Sequence, residues 1–379
     1  MEPARKLPTE TCHPDLIQRL HDLLPAFTDR AAAYDRDGRF VEENYDQLKT
    51  ARLFSAGIPG EVGGGGLDYR SMADMIKTIA KACGSTALAF AMHTHPVLLN
   101  VYKFKNAHDA KAKATLTKIA SNELIIAGTG ANDWLQSNGH AVAVEGGYRV
   151  SAHKRFVSGS PGAQVLVTSA VEKTEQGEQV LHFSIPFSTS GISILNNWDT
   201  LGMRGTGSHD VMLQDVFVPE DAIVARRPAG QWHGMWDLII PVAMPLIMSC
   251  YLGLAEQAVE LATVACQGKP DSARDLGALK NHLRTAQLAR NAMVAQCEDL
   301  RFKPGIHNTD EVLSYKTIAT NAIQTTVARA ADLVGGAGFF RDHALERIQR
   351  DVRAVHFHPL PETKQVQMSG RLALSLNPV

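Results

Sequence analysis

Apolar side chains recur every three to four positions through the first third of the chain, and the period then shortens to two. "HPDLIQRLHDLLPAFTDRAAAYDRDGRF" and "YDQLKTARLFSAG" set Leu, Ile and Phe on one helical face, with Asp and Arg opposite. Four successive glycines in "IPGEVGGGGLDY" break the pattern, because glycine loses too much backbone freedom to hold a helix. "RSMADMIKTIAKACGSTALAFAMHTHPVLLNVYKF" reads as two more helices and "DAKAKATLTKIASNE" as another. "HAVAVEGGYRVSAHKRFVS" alternates about a Gly-Gly turn, which signals a hairpin. "AQVLVTSAVE", "QVLHFSIPF", "ISILNN" and "DVMLQDVFVP" follow as strand candidates at short intervals. After "ARRPAGQWHG" the helical period returns in "SARDLGALKNHLRTAQLARNAMVAQCEDLRF" and "SYKTIATNAIQTTVARAADLVGG", long and Ala-rich as bundle helices are.

The pattern predicts an α+β chain: an N-terminal helical domain over residues 1–122, a β-domain over 123–228, and a helical bundle over 229–379. The apolar run "LIIPVAMPLIMSCYLGLA" reads as a buried helix and not a membrane span, since two prolines interrupt it and its neighbours are amphipathic. Lys and Arg number 38 against 39 Asp and Glu, a balance that argues against sequence-independent nucleic-acid binding. Cysteines 12, 83, 250, 266 and 297 are scattered without a Cys-x-x-Cys pair, which suits reduced thiols. "MEPARKLPTETCHPD" has no apolar core of signal-peptide length, so a cytoplasmic location is expected.

"FVSGSPGAQVLVTSAV", residues 156–171, interrupts two β-rich segments with small residues and asks what approaches the backbone there. Together with "IPGEVGGGGLDY", "GGYRVSAHKRFVSGSPGAQVLV", "WDTLGMRGTGSHDVMLQDVFVPED" and "LVGGAGFFRDHALERIQRDVRA", in that order, it resembles the acyl-CoA dehydrogenase superfamily over nearly the whole chain. The C-terminal half is most similar to the type 2 branch, which includes flavin-dependent monooxygenases. The resemblance implies a central β-barrel-like domain, a C-terminal four-helix bundle, a flavin (FAD or FMN) and a homotetramer.

By that resemblance Phe156 and Val157 flank the flavin ring, Ser158 bonds near its reactive nitrogen, and Gly159 and Gly162 let the backbone approach. Thr129, in "IIAGTGAND", is the other hydroxyl contact, and Gly335 and Gly336 reach a neighbouring subunit's cofactor. Asp332 stands where the dehydrogenases carry Gln, and "PDSARDLGALKNHL" lacks their Arg-Phe-Gly. Both departures favour FMN, or a flavin delivered reduced by a partner reductase, over tightly held FAD.

The dehydrogenases need a carboxylate base to remove a proton beside the thioester carbonyl. Counting from Asp351 to its usual place gives Pro359, and the minority position on the first bundle helix gives Ala243. Glu362 lies three residues past the first of these, while Asp237 reads as a helix-start anion. The loop "RAVHFHPLPETK" offers His358 instead, flanked by His356; a neutral imidazole suits oxygen chemistry, and its pKa is expected near neutrality. His93 in "AMHTHPVLL" is expected to approach the flavin from the other side. His93 and His95 point about 200° apart on a helix, so no metal site is expected.

Three functions compete: a monooxygenase using reduced flavin, an acyl-CoA dehydrogenase with Glu362 as displaced base, and a non-catalytic flavin- or acyl-binding protein. The expected partners are a small-molecule or acyl thioester substrate and a flavin reductase, with no nucleic acid and no membrane.

Overall fold

A computed structural model describes residues 14–130, 133 and 135–379. "MEPARKLPTETCH" with Cys12, and Ala131 and Asn132 within "IIAGTGAND", lie outside the described residues. Among the described residues five helices come first: α1 (Pro14–Asp37), α2 (Glu42–Thr50), α3 (Tyr69–Ala82), α4 (Gly84–Ala107) and α5 (Ala110–Asn122). Asp68 and Asp109 start α3 and α5 by accepting first-turn N–H groups, the standard use of a short acidic side chain there. The four-glycine loop is a packing device. A Cβ on Gly64 would sit 2.2 Å from the Ile58 carbonyl, and one on Gly65 2.5 Å from the Leu16 side chain.

Eight strands follow: β1 (Ile126–Gly128), β2 (His140–Val144), β3 (Gly147–Val157), β4 (Val165–Thr174), β5 (Gly177–Pro186), β6 (Ile192–Ile194), β7 (His209–Pro219) and β8 (Ile223–Pro228). Their order is β6-β7-β3-β2-β4-β5-β8, with β1 running parallel to β4. The sheet is open, which corrects the barrel-like expectation. Among the described residues its two halves pair by backbone where β2 meets β4 at His140–Val171 and Ala141–Glu172, and β6 and β8 remain as separate edges.

The C-terminal helices are α6 (Trp236–Ala265), α7 (Ala273–Gln296), α8 (Ile306–Val334), α9 (Ala344–Asp351) and α10 (Glu362–Ala373). The apolar helix α6 runs through both prolines as the spine of the bundle; its most apolar window is 89% buried, as the sequence reading expects. Pro245 has no N–H to give the Pro241 carbonyl, and the Cys297 thiol donates to that carbonyl instead, at 2.9 Å. The Tyr69 hydroxyl donates to the next carbonyl, Val242, at 2.7 Å. These bonds tie α6 to α3 and to the end of α7.

Arg350 and Asp351, at the end of α9, join the bundle to the β-domain. Arg350 pairs with Asp35 and Glu346. Buried Asp351 accepts the Met203 N–H at 2.5 Å, and burial raises its pKa to about 6. Gly202 lies so close to Arg350 that an added Cβ would meet its backbone at 2.4 Å.

Candidate active site

Strand β3 slips register against β7 between Lys154 and Val157, and this bulge aims Phe156 outward. Val157 stays buried and paired with His209, while Phe156 takes φ +61° and is 50% exposed. Left-handed φ is a rare conformation for an aromatic residue, and such outliers cluster at functional sites. Trp198 stands edge-on to Phe156 with ring centres 6.2 Å apart. It is fixed by its N–H to His209 Nδ1 (2.9 Å) and its indole N–H to the Met203 carbonyl (3.0 Å).

Beside this aromatic wall runs a row of hydroxyls. Ser158 Oγ lies 2.7 Å from Ser208 Oγ, which lies 2.7 Å from Thr206 Oγ1. Thr206 donates to the Met203 carbonyl at 2.9 Å. Through Met203 the row ends on Asp351. Thr206 and Ser208 are buried and Ser158 half-buried, so the row opens at the wall. Thr206 and Ser208 carry no motif of their own; only their place in "RGTGSHD", the stretch entering β7, marked them.

The small residues after Ser158 make room for side chains of the N-terminal domain. A Cβ on Gly159 (φ +74°) would sit 3.0 Å from the Tyr45 hydroxyl. On Gly162 it would sit 2.9 Å from the Tyr45 ring and 3.0 Å from Phe40. The start of the N-terminal domain's second helix, with Phe40 just before it, packs against the backbone there.

Thr129 continues β1 by donating its N–H to the Val167 carbonyl (3.1 Å), and its half-buried hydroxyl bonds Thr168 at 2.8 Å. Gly335 ends α8 at φ +72°; Gly335 and Gly336 are exposed with open space around them. Phe339 and Phe340, just beyond, are 86% and 68% exposed.

His93 is not available for catalysis. Its Nδ1 accepts the Ile126 N–H at 3.0 Å, which puts the ring proton on Nε2, donated to the Phe54 carbonyl at 2.9 Å. Burial lowers its pKa to about 4, and the ring braces β1 against the N-terminal domain. His95, two residues on, keeps Nδ1 buried without a partner.

His358 Nε2 lies 2.7 Å from the Tyr251 hydroxyl on α6. Its backbone is held by Lys316, buried on α8, whose ammonium donates to the carbonyls of His358 (3.2 Å) and Leu360 (3.0 Å). Burial, and then the Lys316 charge, lower the His358 pKa to about 3. The expectation of titration near neutrality is thereby corrected: His358 is a neutral imidazole across the working pH range. Burial also keeps the Tyr251 hydroxyl protonated.

Glu362 is exposed in the first turn of α10, 3.4 Å from the Asn321 amide. Its charge acts on Lys316, raising the lysine's pKa against burial. Asp237 accepts from Thr309 at 2.9 Å, a structural role at the start of α6. A cleft of about 720 Å³, lined by Asp35, Arg204, Arg347 and Arg350 among others, includes none of the hydroxyl-row residues.

The arrangement suits a flat heteroaromatic ring with a polar edge. Phe156 and Trp198 supply the apolar wall and Ser158 an edge hydroxyl, features a flavin requires.

Three family models match, described as acyl-CoA dehydrogenase N-terminal domain (residues 19–123), middle domain (128–216) and C-terminal domain (244–358). The chain is 30% identical to the acyl-CoA dehydrogenase-type protein YdbM of Bacillus subtilis, over 91% of this chain and 93% of that protein. It is 24% identical to the dibenzothiophene monooxygenase of Mycolicibacterium goodii, over 96% and 94%. Among solved structures, a nitrososynthase from Micromonospora carbonacea var. africana superimposes with a TM-score of 0.87 at 25% identity, covering 97% of this chain and 99% of that one. KijD3, solved with FMN and a dTDP-amino-sugar, has the same fold: TM-score 0.86 at 24% identity, covering 97% and 96%.

Proposed function

This chain belongs to the acyl-CoA dehydrogenase family, and we propose that it works there as a monooxygenase supplied with reduced flavin, acting on a small molecule. It is a flavin-dependent oxidoreductase. One observation carries the monooxygenase reading: a neutral imidazole, His358 on Tyr251, stands beside Pro359, where the dehydrogenases keep their carboxylate. The other carboxylate position is the buried Ala243. The similarity to YdbM favours dehydrogenation, but Glu362 would have to leave the surface to act.

When bound, a reduced flavin supplies the electrons for oxygen. Phe156 and Trp198 wall the ring from water, while Ser158 and Thr129 offer hydroxyls to its polar edge. We take Tyr251 as the donor to His358 Nε2; in that tautomer the imidazole proton sits on Nδ1 as a hydrogen-bond donor. Lys316 keeps the loop, and hence the ring, in place.

The same reading makes the protein a cytoplasmic homotetramer served by a flavin reductase. Exposed Phe339 and Phe340 seat the Gly335–Gly336 segment against a neighbouring subunit, where it meets that subunit's flavin. The test is oxygen consumption by the purified protein with reduced FMN, against anaerobic bleaching of its flavin by an acyl-CoA. Oxygen uptake without bleaching supports the monooxygenase, and bleaching refutes it.

A further inference from the structure

The hydroxyl row beside Ser158 has one arrangement of protons in which every short contact is a hydrogen bond. The Met203 carbonyl has no proton to give, so Thr206 donates to it at 2.9 Å. Thr206 then has only lone pairs for Ser208, 2.7 Å away, and Ser208 donates to Thr206. Ser208 in turn accepts from Ser158 at 2.7 Å. The Met203 peptide is held in place. The Met203 carbonyl also accepts the Thr206 N–H (3.1 Å) and the Trp198 indole N–H (3.0 Å), and the Met203 N–H is held by Asp351.

Ser158 therefore turns its proton inward and shows lone pairs to the wall formed by Phe156 and Trp198. An oxidised flavin presents a bare central-ring nitrogen that needs a donor. A reduced flavin carries N–H at that place and needs an acceptor.

We infer that Thr206 and Ser208 set the redox preference of the flavin site, by fixing the Ser158 proton so that Ser158 accepts from reduced flavin. This rests on the reading that Ser158 meets the flavin's central nitrogen. For Ser158 to donate outward, Ser208 must donate to Ser158. Either the Ser208–Thr206 contact or the Thr206–Met203 contact then sets two acceptors against each other. One hydrogen bond is lost, a handicap of roughly two- to tenfold against oxidised flavin. Thr206 and Ser208 touch no flavin in this scheme; they are positioning residues.

The experiment measures the affinity of oxidised FMN and of anaerobically reduced FMN, by quenching of tryptophan fluorescence, for wild type, Ser208→Ala, Thr206→Val and Ser158→Ala. Ser208→Ala removes the acceptor for the Ser158 proton. Thr206→Val keeps the volume and frees Ser208 to donate to Ser158. Both variants should lower the preference for reduced over oxidised FMN by roughly two- to tenfold, the range of one net hydrogen bond. Loss of packing alone would weaken both redox states together. If Ser158→Ala weakens binding but the preference is unchanged in both row variants, the inference falls and the flavin reading stands. If Ser158→Ala alters neither affinity, the flavin reading at Ser158 fails and takes the inference with it.

Discussion

Replacing Lys316 by Met should flatten a specific part of the pH dependence of stability. Lys316 is buried beneath the His358 loop, and burial brings its pKa from 10.5 down to about 8. Because the folded value lies below the unfolded one, the unfolded chain binds the extra proton between about pH 8 and pH 10.5. Stability therefore rises with pH across that window, and below it the folded state carries a charge that burial disfavours. At about 1.4 kcal/mol for each pH unit, the full effect is about 3 kcal/mol. A chain of 379 residues gains about 0.8 kcal/mol per kelvin of unfolding entropy, so this corresponds to about 4 °C in melting temperature. Met titrates nothing, and the loss of the two bonds to His358 and Leu360 gives only a pH-independent offset. Thermal melts of both proteins from pH 7 to 10.5 should show wild type gaining about 4 °C relative to the variant. Parallel curves would refute the assignment of Lys316 as a charge held in the interior.

Gly162→Ala should lower the melting temperature by a few degrees, since overpacking against Tyr45 and Phe40 costs about 1–3 kcal/mol, and should leave FMN affinity unchanged. A variant that melts normally but loses FMN would restore the cofactor role for this glycine. His93→Leu leaves the Ile126 N–H and the Phe54 carbonyl without partners and should destabilise by about 1–3 kcal/mol for each; a normally stable variant that lost only turnover would contradict this. The His358 ring resonances should stay those of a neutral imidazole in NMR spectra from pH 8 down to 5, because its pKa is lowered to about 3. A midpoint between pH 6 and 7 would overturn the half-buried setting beside Lys316 described for it.

The succession of helices, strands and helices was legible because the hydrophobic period changes abruptly near residues 124 and 229. Strands β1 and β8 were not singled out. The first is three residues long, too short for a period, and the second carries Arg226 and Arg227 in an edge position. Phe156 and Ser158 could be marked through family resemblance, but the purpose of the neighbouring glycines could not. Tyr45 and Phe40 lie more than a hundred residues away, and nothing local announces their approach. His93 failed for the same reason, its two partners being 39 and 33 residues distant. His358 was found by what was missing, a carboxylate at Pro359. Its neutrality depends on Lys316, and no spacing in the sequence ties 316 to 358.

The central claim is that His358, and not a carboxylate, serves the flavin chemistry. The most direct measurement is the rate at which oxygen reoxidises reduced FMN bound to wild type, His358→Ala and Glu362→Gln, each verified as folded. A fixed hydrogen-bond donor aimed at developing charge is worth about 10²–10³-fold, so His358→Ala should change the rate by about a hundredfold or more while Glu362→Gln stays within a factor of about two. A His358 variant indistinguishable from wild type, with a large change in the Glu362 variant, would contradict the account and return the chain to carboxylate chemistry.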